Sequence, residues 1–194
     1  MLGAGLILLV TAAFGGLEAA QIPGAATFEL GDTIRAAPLD VTVDRVVWVE
    51  GALPGLYLSD ESNRWIGVVA TVTTDHTASL SGEPAATVGI AGVRGLVGEP
   101  APGTDVVLSK DQVLMADSSR LWPMQPRLTY EVAFLFEQAG GVDPPDQVDL
   151  VLFGHTWRAD SFDGTLGWKD PEPVARATVP ARPGVDAETT DEDA

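Results

Sequence analysis

From Thr27 onward the chain is a series of short apolar runs separated by turn residues. The run 64–74 (RWIGVVATVTT) alternates most regularly. It places Ile66, Val68, Ala70 and Val72 on one face and Trp65, Gly67, Val69 and Thr71 on the other, because successive side chains of a strand point to opposite sides. The run 127–138 (RLTYEVAFLFEQ) puts Leu128, Tyr130, Val132, Phe134 and Phe136 on a shared face. A different pattern holds at 41–50 (VTVDRVVWVE), where alternation at Val41 and Val43 gives way to continuous apolar residues from Val46 to Val49. That predicts a strand buried on both faces, or one carrying a bulge.

Shorter strands are predicted at 85–90, 106–109, 112–116, 147–153, 156–159 and 174–179, with Gly154-His155 as a hairpin turn. Pro54-Gly55, Ser81-Gly82, Pro102-Gly103, Pro144-Pro145 and Asp163-Gly164 punctuate the runs. Roughly seven to nine short strands between such breakers describe an all-β, antiparallel sandwich over residues 27–180. Beyond it, 181–194 (ARPGVDAETTDEDA) loses its apolar residues and gathers acids, which predicts a disordered tail.

The N-terminus follows another rule. Residues 1–17 (MLGAGLILLVTAAFGGL) carry no charge, and as a helix they would span roughly 26 Å against a hydrocarbon core of about 30 Å. A secretory signal begins with basic residues and ends at a small-x-small site; here the first basic residue is Arg35, and no clean site precedes the linker 21–26. Residues 1–20 are therefore read as an uncleaved, single-pass transmembrane anchor, with the rest of the chain extracytoplasmic at the cell membrane. A cleaved signal sequence and a buried helix of a soluble fold are the competing readings. Both missing features are explained if Met1 is an internal start preceded by a basic cytoplasmic segment, which would place the N-terminus inside.

Composition adds three constraints. The formal charge is −17, from 28 acidic and 11 basic residues, and so negative a surface repels phosphate backbones, which excludes nucleic acid as a partner. Cysteine is absent, which removes disulfides, thiolate metal sites, cysteine nucleophiles and cysteine lipidation together. Only two lysines, one asparagine and five isoleucines occur; this reads as the codon bias of a GC-rich genome, so the abundance of alanine argues little for helix.

Candidate chemistry is sparse. His155 stands near Asp160 and Ser161, yet the serine lacks a G-x-S-x-G elbow, so nearness in sequence is all that suggests a triad. His76 sits in TTDHTAS, where a turn histidine is expected. Two acidic stretches, Asp60-Glu61-Ser62-Asn63 and Asp160 with Asp163-Gly164, have the oxygen ligands calcium needs; neither matches the calcium loop, since Phe162 stands where a second acidic residue belongs. No cofactor and no metal is expected. Of the five tryptophans, Trp48, Trp65 and Trp157 lie in apolar strands and are expected in the core. Trp122 (RLWPMQP) and Trp168 (LGWKDP) lie in loop-like sequence, so Trp122, Pro123, Met124 and Trp168 form the candidate binding group.

Val41-Thr42-Val43, the Trp65 to Ala70 strand, and Pro126 to Phe136 followed by Asp143-Pro144-Pro145 make the chain resemble immunoglobulin-like domains of bacterial membrane-anchored proteins and lipoproteins, many of unknown function. The resemblance covers roughly residues 38–160. It implies an immunoglobulin-like sandwich with no catalytic residues to carry over, and the chain departs from the lipoprotein members in having no cysteine to lipidate. The expected function is a non-catalytic interaction or accessory module, not an enzyme, acting beside a membrane partner such as a transporter or an envelope-assembly enzyme. An envelope-glycan-binding domain is the alternative, and a hydrolase with an unrecognised site ranks behind it.

Overall fold

The protein is described by a computed structural model over residues 24–81, 86–121 and 123–184. The anchor read at residues 1–20 and most of the tail lie outside these residues. Among the described residues no helix is long and apolar enough to cross a membrane.

Among the described residues eleven strands carry the fold: β1 (Ala26–Thr27), β2 (Thr33–Ala36), β3 (Leu39–Glu50), β4 (Arg64–Thr74), β5 (Val88–Ala91), β6 (Leu96–Val97), β7 (Val107–Leu108), β8 (Asp111–Leu114), β9 (Tyr130–Gln138), β10 (Gln147–Ala159) and β11 (Leu166–Pro183). One sheet runs β2 and β3, then β4, then β9, whose far edge is shared by β6 and β8. The other runs β11, β10, β5 and β7, with β1 beside β11. Strand β11 joins the two, since Ala181, Arg182 and Pro183 pair in parallel with Val46, Val47 and Trp48. The tail expected from 181 therefore starts three residues inside an ordered strand.

The alternating faces predicted for β4 and β9 decide where the core lies. Ile66, Val68, Ala70 and Val72 meet Val132, Phe134 and Phe136 on the inward side, opposite Val88, Ile90, Leu150 and Leu152 of the other sheet. Phe134 is fully buried, and deleting such a side chain costs about 3–5 kcal/mol. In β3 the change of phase is a bulge. The register with β4 shifts between Val43 and Arg45, leaving Asp44 as the extra residue, so that Val41, Val43 and Val46 all face inward.

The turn predicted at Gly154-His155 does not form; β10 passes through both residues and pairs with β11 as far as Ala159↔Leu166. Glycine is needed at 154 for another reason, because a Cβ there would sit 2.9 Å from Val174 Cγ1. The hairpin turns instead around Asp163-Gly164, where Gly164 has φ +74°.

Candidate binding end

Three connections meet at one end of the sandwich: the 75–87 loop after β4, the 115–129 loop before β9, and the β10–β11 hairpin. Pairing fixes this arrangement. Leu39 lies opposite Thr74, Tyr130 opposite Val72, and Val88 opposite Leu152. The first two loops are tied by a pair of backbone hydrogen bonds, Leu80 N to Met124 O (2.9 Å) and Met124 N to Leu80 O (3.0 Å). Ser79 Oγ adds a bond to Gln125 Oε1 at 3.0 Å.

The topology brings Pro123, Met124 and Trp168 of the candidate binding group to this end and corrects their details. Pro123 is exposed. Met124 is fully buried and belongs to the core, so it is not a contact residue. Trp122 lies outside the described residues. Trp168 is in strand β11 rather than a loop, half-buried, with its Nε1 buried and without a hydrogen-bond partner.

Trp157, expected in the core, is 45% exposed. The cause is strand length: β5 pairs with β10 only as far as Leu152, so later residues of β10 have β11 as their main neighbour and project with it. Trp65 is buried as expected, though on the outward face of its sheet, and Trp48 is half-buried against the core.

The projecting hairpin and the 75–87 loop build an aromatic cluster. The rings of His76, Trp157 and Trp168 lie within 5.0–5.5 Å of one another, all inclined rather than parallel, an arrangement aromatic quadrupoles favour. Arg158 and Asp170 form an ion pair across the hairpin, with Nη2 to Oδ1 at 2.8 Å. Farther out, Leu166 is 61% exposed and Phe162 98% exposed at the tip. The tip backbone is fixed by its own carboxylates, with Asp160 Oδ1 accepting from Phe162 N at 2.8 Å and Asp163 Oδ1 from Thr165 N at 2.9 Å. These bonds hold both carboxyls below their ordinary range. An open concavity of about 390 Å³ lies against Trp168, bordered by His155, Lys169, Asp170 and Pro171.

The sequence candidates for catalysis and calcium have other partners here. His155 and Asp160 lie five residues apart along an extended strand, roughly 16 Å, and the His155 ring meets Ala37 O at 3.3 Å. Asp60 Oδ1 accepts from Ser62 N and Ser62 Oγ at 2.9 and 2.7 Å, a loop cap that lowers its pKa. Among the described residues no group of three or more acidic or histidine side chains is placed to hold a metal.

A second polar centre lies away from this end, and no sequence signal pointed to it. Glu137 of β9 is fully buried under the 51–63 loop. Its Oε1 accepts from Ser59 N, Ser59 Oγ and Asn63 Nδ2 at 2.6, 2.6 and 2.7 Å, and its Oε2 pairs with Lys110. Lys110 Nζ also donates to Tyr57 O at 3.2 Å and lies 5.4 Å from the Trp65 ring centroid. Burial favours the neutral acid, but the donors from Lys110, Ser59 and Asn63 outweigh it and push Glu137 down to about 2. A carboxylate buried this completely and held by Lys110, Ser59 and Asn63 fastens the loop to β9.

No family model matches the sequence, and no curated protein matches it significantly. Among solved structures, an uncharacterized β-sandwich protein from Clostridium difficile is similar at 14% identity and TM-score 0.47, over 77% of this chain and 96% of that one. A putative lipoprotein from Staphylococcus aureus is similar at 12% identity and TM-score 0.45, over 79% of this chain and 93% of that one.

Proposed function

We propose that this chain is a non-catalytic recognition module on an immunoglobulin-like sandwich, held at a membrane by residues 1–20. Its domain stands outside the cytoplasm and works with a membrane or envelope partner such as a transporter or an envelope-assembly enzyme. Strand order supports the immunoglobulin-like part of the reading. Strands β3, β4, β9 and β8 take the A, B, E and D places, while β11, β10, β5 and β7 take G, F, C and C′. In that correspondence the aromatic end carries the B–C, D–E and F–G loops, and variable domains use two of these, B–C and F–G, for recognition.

The observation that carries the proposal is the exposed apolar surface of the β10–β11 hairpin, with Trp157, Leu166 and Phe162 in solvent on a backbone fixed by Asp160 and Asp163. Large aromatic anchors on a pre-ordered loop lose little freedom on binding. Affinity purification of the tagged full chain from solubilised membranes, beside a Trp157→Ala/Phe162→Ala variant, tests it. A stoichiometric membrane partner that the variant loses is expected. A partner retained in full by the variant, or none in either preparation, would sink the reading. Protease accessibility in intact cells checks the orientation, and a C-terminal tag protected from added protease would refute it.

The glycan reading keeps one observation in its favour, the concavity beside Trp168 with polar groups on Lys169 and Asp170. Binding on a glycan array that disappears in Trp168→Ala would move the proposal to that ligand class.

A further inference from the structure

The outward face of the β3–β4–β9 sheet is a second apolar surface, on a different side from the loop end. Register places Val47 beside Gly67 and Gly67 beside Leu135 in one row, with Arg45, Val69 and Ala133 in the next. An antiparallel sheet commonly turns polar residues to its outward side; here the Val47–Gly67–Leu135 row is apolar across three strands, and the next row is apolar except for Arg45 at its β3 end. The 51–63 loop covers one half, packing Leu56 against Trp65 and Leu135. The other half forms a cleft of about 180 Å³ walled by Trp65, Val69, Ala133 and Leu135, with Gly67 lining it. Through Val47, Val49 and Met115 it continues into a wider trough of about 580 Å³.

Gly67 keeps the cleft open. A Cβ at this position would sit 3.5 Å from Leu135 Cδ2 and 3.6 Å from Val47 Cγ2, an ordinary contact, so a longer side chain would project into the space a ligand would use. The trough carries two of the chain's 11 basic residues, Arg45 and Arg182. Arg182 makes no ion pair among the described residues. Arg45 has only Glu131, 3.6 Å away with both side chains about half exposed, a weak attachment in water. Asp44 also lines the trough, and its carboxylate accepts from Thr71 Oγ1 at 3.3 Å.

A narrow apolar slot that opens onto arginines in a protein of charge −17 fits a ligand with one alkyl chain and one anionic head. We propose that this face binds a free fatty-acid carboxylate, its alkyl chain in the Gly67 cleft and its carboxylate on Arg182 and Arg45. The slot is too small for a two-chain lipid, and the charge of the whole protein opposes docking on an anionic membrane surface.

The test uses the full chain in phosphatidylcholine nanodiscs, titrated with ω-bromoundecanoate, whose bromine quenches indoles close to it. Saturable quenching of the native protein, centred on Trp65, is expected. It should be lost in Gly67→Leu and weakened at least about tenfold in Arg182→Glu, which removes one charge-assisted contact and sets a repelling carboxylate in its place. The uncharged ω-bromoundecanol should bind native protein and Arg182→Glu alike. Across unbranched carboxylates, affinity should rise about fourfold per methylene until the cleft is full. If Gly67→Leu fails to fold, Gly67→Ala, whose Cβ is tolerated, should bind several-fold more weakly. Non-saturable quenching shared by every variant means partition into the bilayer and overturns the proposal. So does quenching that is unchanged by Gly67→Leu. Absent quenching with two chains per particle by light scattering also overturns it, assigning the face to a second copy.

Discussion

Glu137 is the strongest internal test of how this sandwich is closed. Its folded pKa of about 2 lies below the ordinary 4.5, so the stabilisation it provides is complete above pH 4.5 and is lost as pH falls from there towards 2. That displacement corresponds to at most about 3 kcal/mol, and solvent access to Lys110, which is 39% exposed, reduces it to about 2 kcal/mol. Glu137→Gln keeps the shape and removes the charge. Urea unfolding of both proteins from pH 7 downward should give a gap of about 2 kcal/mol that narrows below pH 4.5 and closes near pH 2. A gap that is absent at pH 7, or unchanged at the lowest pH where both proteins still fold, would refute the argument. Glu137→Leu should cost more, about 3–5 kcal/mol, because beyond the counter-charge of Lys110, which Gln also removes, it takes away every hydrogen-bond acceptor at the site. The donors on Ser59 and Asn63 lose their acceptor with it. The loop should then lift from Trp65, shifting its fluorescence to the red.

Three further predictions follow from particular contacts. In Gly140→Ala the new Cβ would lie 1.7 Å from the Ser62 carbonyl oxygen, whereas at Gly141 nothing stands within 4 Å. The first substitution should cost about 3 kcal/mol and the second almost nothing, as read from melting temperatures. Asp160→Ala removes the acceptor for Phe162 N and the 3.4 Å contact to Lys169; it should cost about 1 kcal/mol and speed amide exchange at Phe162 and Thr165 without affecting β4. Met124→Ala should lose about 2–5 kcal/mol as a core deletion, while Pro123→Ala beside it should stay within about 0.5 kcal/mol, both by chemical denaturation.

The sequence made some of these features legible and hid others for physical reasons. Strand β4 was readable to its end residues because both of its faces are apolar and alternate without a break. The bulge in β3 was readable as one of two alternatives, because Asp44 shifts the apolar phase by one position while the run from Val46 to Val49 fits burial on both faces equally well. Strand β11 was largely invisible. It contains four prolines, Pro171, Pro173, Pro180 and Pro183, and proline within a run argues against a strand. The first two fall where the β10–β11 register is irregular, the kind of place where a missing N–H donor is tolerated. Trp157 was misplaced because apolar neighbours mark a strand but not how far its partners extend, and β5 ends too early to cover it.

Glu137 shows the same limit from the other side. Its partners Ser59, Asn63 and Lys110 are 78, 74 and 27 residues away, so no local pattern announces a buried carboxylate whose donors arrive only when the loop folds over β9. The outward cleft depends on that closure too. The loop that Glu137 fastens packs Leu56 over Trp65 and Leu135 and reaches the rim of the cleft with Leu53, leaving the space beside Gly67 unfilled. Loosening the fastening by Glu137→Leu should therefore widen the cleft and expose Trp65. Filling it by Gly67→Leu should leave the Glu137 bonds, and their pH dependence, intact. The two substitutions perturb one sheet face in opposite senses, and only the first should abolish the Glu137 contribution to the loss of stability between pH 7 and pH 3.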